Sequence, residues 1–97
     1  MKEYDYPTEE ELEKIKAWEP SDIKGLLSFI KSIWWHPDWG FKLQENCLEL
    51  HTGGWSGNEM IIDELEKTIF WFMFWQKSER GGHYYFQFEE NYVLYEK

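Results

Sequence analysis

The chain has 97 residues, 42% of them hydrophobic and 30% charged, with a net charge of -9. That size suits one domain over 1–97 with no second domain expected, and a core of this size removes roughly two-thirds of the unfolded chain's surface from water. Excess negative charge repels phosphate backbones and lipid headgroups, so nucleic-acid binding through neutralised phosphates is disfavoured and a basic partner fits better.

Aromatic residues make up 21% of the chain, seven of them Trp. Burial of rings, about 150–250 Å² each, is expected to dominate the core energetics. Cys47 is the single cysteine, which precludes a disulfide within the chain and fits a reducing compartment. The longest apolar run has seven residues against the ~20 that span a bilayer, and no basic N-terminal stretch leads into an apolar one. The expectation is a cytoplasmic protein without a membrane segment.

From Met1 to Asp22 there are eight acidic residues against three lysines. Thr8 and Glu11 have the spacing of a capping box, with Glu9, Glu10 and Glu11 at the positive end of a helix dipole. A first helix over 9–18 would place Leu12, Ile15 and Trp18 on a narrow apolar stripe. Pro20 stops it. Ser21 is positioned to cap a second helix, in which Ile23, Leu26, Leu27, Ile30, Ile33 and Trp34 keep the 3.6-residue period until Pro37 ends it near Trp35. From Phe41 the period changes to two, with Phe41 and Leu43, then Leu48 and Leu50, on one face. Lys42, Gln44, Cys47, Glu49 and His51 take the other, in a hairpin that turns at Glu45 and Asn46. A glycine-rich loop over 52–58 follows. Ser56 and Glu59 repeat the capping spacing before a third helix with Met60, Ile61, Ile62 and Leu65.

The run Ile69-Phe70-Trp71-Phe72-Met73-Phe74-Trp75 reads as a strand with two apolar faces, because successive strand side chains point to opposite sides. Left open, one such face would expose on the order of 600 Å², at the upper end of what monomers show. Residues 77–82 turn the chain, and His83 to Phe88 return antiparallel with Tyr84, Phe86 and Phe88 on one side. Residues 91–97 extend this sheet or lie over it. The sum is an α+β fold in the order ααββαββ: an antiparallel sheet of about four strands in two hairpins, with helices packed mainly on one face.

The stretch Leu50-His51-Thr52-Gly53-Gly54-Trp55-Ser56-Gly57-Asn58-Glu59, together with Trp75 and the later Arg80-Gly81-Gly82-His83, resembles a pattern of small uncharacterised phage and prophage proteins. The resemblance covers roughly 48–88. It implies a bacterial or viral cytoplasmic setting and carries no activity and no functional residue.

Several residues are candidates for chemistry or binding. A glycine loop leading into a helix can hold an anion on its amides, but Gly53, Gly54 and Gly57 match neither a Walker loop nor a dinucleotide fingerprint. Ser56 lies on a strand, turn, helix path, yet Asn58 occupies the place of the second glycine of a nucleophile elbow. Cys47 lies four residues, about 13 Å, from His51 and cannot be activated by it. Arg80, the only arginine, could grip a carboxylate or phosphate from its turn, or pair locally with Glu79. If the two hairpins lie side by side, His51 and His83 approach each other, the glycine loop and Arg80, with Trp55, Trp75 and Tyr85 nearby. A metal held by His51, His83 and Glu49 lacks helical histidine or paired cysteine spacing, so neither metal nor cofactor is expected.

The binding candidates are therefore His51, Gly53, Gly54, Trp55, Ser56, Trp71, Trp75, Arg80, His83 and Tyr85. No acid, base and nucleophile set has credible spacing, which points away from an enzyme. The leading expectation is a small acidic interaction protein that offers an aromatic sheet face to a protein partner or to itself. The alternative is a small-ligand or anion module built on Gly53–Gly57 with His51, Arg80 and His83.

Overall fold

The computed structural model describes residues 6–88; the acidic residues before Tyr6 and the expected sheet extension over 91–97 lie outside that range. The elements run α1 (Glu9–Lys16), α2 (Ile23–Ile33), α3 (Pro37–Gly40), β1 (Phe41–Leu43), β2 (Cys47–His51), α4 (Ser56–Leu65), α5 (Ile69–Phe74), β3 (Trp75–Glu79) and β4 (His83–Gln87). The fold is α+β. Its four-stranded sheet is antiparallel throughout, in the order β1-β2-β4-β3. The two hairpins thus meet along β2 and β4, and the central strands are the ones that carry His51 and His83.

Local chemistry accounts for the first elements. Thr8 accepts from the Glu11 amide at 3.1 Å, and Glu11 Oε1 accepts from the Thr8 amide at 2.9 Å, so both arms of the capping box form. α2 is capped by Asp22, not Ser21: its carboxylate accepts from Gly25 N at 3.0 Å. Ser21 turns instead toward Glu19. Pro37, expected only to end α2, also opens the four-residue α3, where its fixed φ and missing N–H are tolerated. His36 makes the junction in the left-handed region at φ 60.

One layer of core lies between the sheet and the helices. Leu48, Leu50 and Phe86 point inward from β2 and β4, and α2, α4 and α5 close over them with Leu27, Ile30, Ile61, Leu65, Phe70 and Phe74, all buried. Every one of these contacts is apolar, so dispersion and removal of surface from water hold the layers together.

The aromatic run is the main departure. Residues 69–74 form a helix, and only Trp75 belongs to a strand. Thr68 explains the start of this helix: its hydroxyl accepts from Trp71 N at 3.3 Å and donates to Leu65 O at 2.6 Å, tying the beginning of α5 to the end of α4. Phe70 and Phe74, four apart, then fall on one face and pack on Phe86 and Phe88. Burial of two phenyl rings outweighs the strand preference of aromatic residues. The argument from an extended segment with two apolar faces therefore fails, and Trp71 does not lie on a sheet.

Candidate functional site

Two regions stand out. The first is the outer face of the sheet, away from the helices. Register places His51 opposite His83, and Glu49 opposite Tyr85 on β4 and Lys42 on β1. His51 Nδ1 and His83 Nδ1 are 2.7 Å apart, and His51 Nε2 is 3.2 Å from Glu49 Oε1. Beyond them Glu79 takes the Lys77 ammonium and the Tyr85 hydroxyl, each at 3.2 Å. Lys77, then Tyr85, hold the Glu79 carboxyl below its ordinary range. Desolvation, followed by the bond to Glu79, pushes the Tyr85 phenol up.

Aromatic rings continue this face past the end of β2. His51 meets Trp39 edge-on at 6.0 Å, Trp39 meets Trp55 at 5.9 Å, and His36 stacks on Trp55 at 4.9 Å. The backbone beneath is pinned by Asn58, which is fully buried. Its Oδ1 accepts from Trp35 N at 2.9 Å, and its Nδ2 donates to Trp35 O at 3.1 Å and Thr52 O at 3.3 Å. One side chain thereby fastens the α2–α3 connection to the glycine loop.

Two glycine turns meet here. Gly53 and Gly54 both have positive φ, as do Gly81 and Gly82, a conformation that costs glycine little. Thr52 N donates to Gly82 O at 2.9 Å, and a Cβ on Gly82 would collide with Thr52 Oγ1. Arg80, two residues away and exposed, therefore sits at the same end of the molecule as the glycine loop. The loop amides are largely spent within the loop, Gly54 N on Thr52 Oγ1 and Trp55 N on Thr52 O. Ser56 is the first residue of α4, behind an N-cap at Trp55 that lends no side-chain bond, so the expected Ser56–Glu59 capping box does not form.

The second region is the outer side of α5. Ile69, Phe72 and Met73 are 55%, 88% and 55% exposed, and Trp75 is 44% exposed. Trp71 flanks this ridge, stacked on Trp75 at 6.4 Å and edge-on to Tyr84 at 5.7 Å. Burial first, then Glu66, Glu59 and Asp63, push the Tyr84 phenol up, so the acidic stripe of α4 lies close to this aromatic row. Near Ile69 the ridge runs into a groove of about 180 Å³, lined in part by Ile15, Trp18, Pro20 and Phe70.

Of the sequence candidates, His51, His83, Tyr85, Trp55, Gly53 and Gly54 are brought together, while Trp71 and Trp75 fall in the other region. Sequence reasoning missed Trp39, His36, Asn58 and Phe72. A signal for Phe72 existed: Thr68 before an i, i+4 phenylalanine pair is a helix start, which turns position 72 outward. Among the described residues no group of three or more His, Cys, Asp or Glu is arranged to hold a metal ion. No helix of theirs is long and apolar enough to cross a membrane. No family model, curated protein or solved structure matches the chain.

Proposed function

We propose that this chain is a small non-enzymatic, cytoplasmic interaction protein, of the phage or prophage kind its two glycine motifs resemble, that docks a protein partner on the α5 ridge. The observation that carries the reading is Phe72, 88% exposed between Ile69 and Met73 on a helix with no charged residue. An apolar aromatic ridge of this kind is where binding energy concentrates once water is excluded. Charge selects the partner class. Glu59, Asp63 and Glu66 stand beside Tyr84, which touches Trp71 of the ridge, and the chain carries -9 in all. The complementary surface has an apolar centre flanked by Lys and Arg.

A synthetic amphipathic helix of leucine and lysine is the probe, with Trp emission and sedimentation as readouts. Binding that weakens with salt and falls at least about thirtyfold in Phe72→Asp, the loss of a typical hot spot, is the expected result. Equal binding by Phe72→Asp overturns the reading. A dimer of the chain alone that dissociates in Phe72→Asp and ignores the probe replaces the basic partner with a second copy.

One observation favours a second reading, a small-ligand module on the outer face: the contact of Gly82 with Thr52 brings the Arg80 turn, the glycine loop, His51 and His83 to one end. Against an anion in that loop stand the Gly54 and Trp55 amides, already engaged by Thr52.

A further inference from the structure

His51 and His83 form the last cross-strand pair of β2 and β4, where the first hairpin joins the second. A separation of 2.7 Å between their Nδ1 atoms admits one proton and only one. Two bare lone pairs repel at that distance, and so do two N–H groups. An ionised carboxylate can only accept, so the 3.2 Å contact of Glu49 Oε1 with His51 Nε2 places a proton on that nitrogen. For two neutral rings a single arrangement then satisfies both contacts. His51 carries its proton on Nε2 and accepts at Nδ1, while His83 donates from Nδ1 and leaves its own Nε2 bare. Gly81 lies against that bare nitrogen, and a Cβ there would stand 3.2 Å from it.

We infer that Glu49, His51 and His83 form a one-proton relay, with His83 Nε2 as its outer terminus, that latches the two hairpins while the pair holds no more than one extra proton and opens when a second one binds. The first proton enters at His83 Nε2 and breaks no contact. Transfer of the Nδ1 proton from His83 to His51 then moves the positive charge next to the Glu49 carboxylate. A second proton puts N–H groups on both Nδ1 atoms, and the rings must part. The next bond along the chain is Thr52 N to Gly82 O, so parting of the rings loosens the seam between the two glycine turns.

The charged and titratable groups facing the relay set its balance. Lys42 from β1 and Tyr85 from β4 lie opposite Glu49, Glu79 from β3 lies opposite His83 beside Lys77, and Arg80 belongs to the adjoining turn. Trp39 packs on the His51 ring from α3, next to Asp38.

The inference is independent of the α5 ridge. Long-range ¹H–¹⁵N correlation spectra of the labelled full chain report the tautomer of each histidine ring, and His36, outside the relay, supplies a reference titration. At about pH 8 the expected result is a proton on Nδ1 of His83 and on Nε2 of His51. On acidification, His83 Nε2 takes the first proton. Protection of the Thr52 amide holds while His83 alone carries the added proton and falls by about tenfold once the second proton binds, the change equivalent to one unit of pKa. In His83→Gln that fall is absent. A His83 ring protonated on Nε2 at the higher pH, or Thr52 protection that stays flat in the native chain after both rings have become imidazolium, overturns the relay.

Discussion

The outer sheet face and the α5 ridge are built from the same residue types, chiefly aromatic rings, yet they are stabilised in opposite ways. On the outer face polar groups find one another: His51 with His83, His51 with Glu49, Tyr85 with Glu79, and Asn58 beneath with two backbone segments. On the ridge Phe70 and Phe74 are buried, and Ile69, Phe72 and Met73 are left with water. The first region satisfies its own chemistry and responds to protons. The second leaves a group of large apolar side chains exposed, the kind of patch that in soluble proteins often marks an interaction surface.

The contrast can be broken from the apolar side first. Phe70→Ala removes a ring that packs on Phe74, Phe86 and Phe88 and should cost about 4 kcal/mol of stability, read from the urea midpoint. The same measurement on Phe72→Asp, the variant proposed to weaken docking, should change little, since its side chain touches mainly solvent. On the polar side, Asn58→Ala strands the Trp35 backbone and the Thr52 carbonyl and should cost about 3 kcal/mol. Hydrogen exchange should place the damage in the glycine loop and α3, leaving the α5 amides protected. A loss spread evenly over both regions would show that they are one cooperative unit.

The smallest effect is a pH slope that sharpens the comparison. Burial and the α4 acids raise the Tyr84 phenol above its ordinary value of 10.0. The folded chain then favours the neutral phenol, so this contribution to stability is complete below pH 10.0 and is lost as the pH rises through the higher folded value. Urea unfolding across that window should show the decline, and Tyr84→Phe should flatten part of it.

Much of the architecture was readable because it rests on short-range spacing. The Thr8–Glu11 box, the alternation at Phe41, Leu43, Leu48 and Leu50, and the Gly81-Gly82 turn each carry a local rule; the first hairpin and the return strand at His83 follow from them, whereas residues 77–79, expected in the turn, pair in β3. The pairing of His51 with His83 needed one further step, the adjacency of the hairpins. Residues 69–74 were not readable in the same way. A run with no polar position has no period, and its form is decided by what Phe70 and Phe74 meet across the core, not by preference within the run. Asn58 hid for a related reason. Read along the chain it is a misplaced glycine of a motif, whereas its three bonds reach Trp35 and Thr52, which only folding brings near. On the candidate site, residue types at strand ends were informative, and the separation of Trp71 and Trp75 from the histidines was invisible because it depends on the helix.

The irregularity in β3 has its own consequence. Trp75 pairs with Phe86 and Lys77 with Tyr85, so Gln76 is an extra residue on this outermost strand. In a regular strand positions 75, 77 and 79 would share a face, and Trp75 would leave Trp71 to stand among the charges of Lys77 and Glu79. Bulges of this kind bend and twist a strand, and Lys77 and Glu79 add charge to this one, which is an edge strand among the described residues. A strand so bent and charged is a poor template for backbone addition by another chain. A flat border of such aromatic content would instead invite stacked assembly, which the bulge and the charges disfavour.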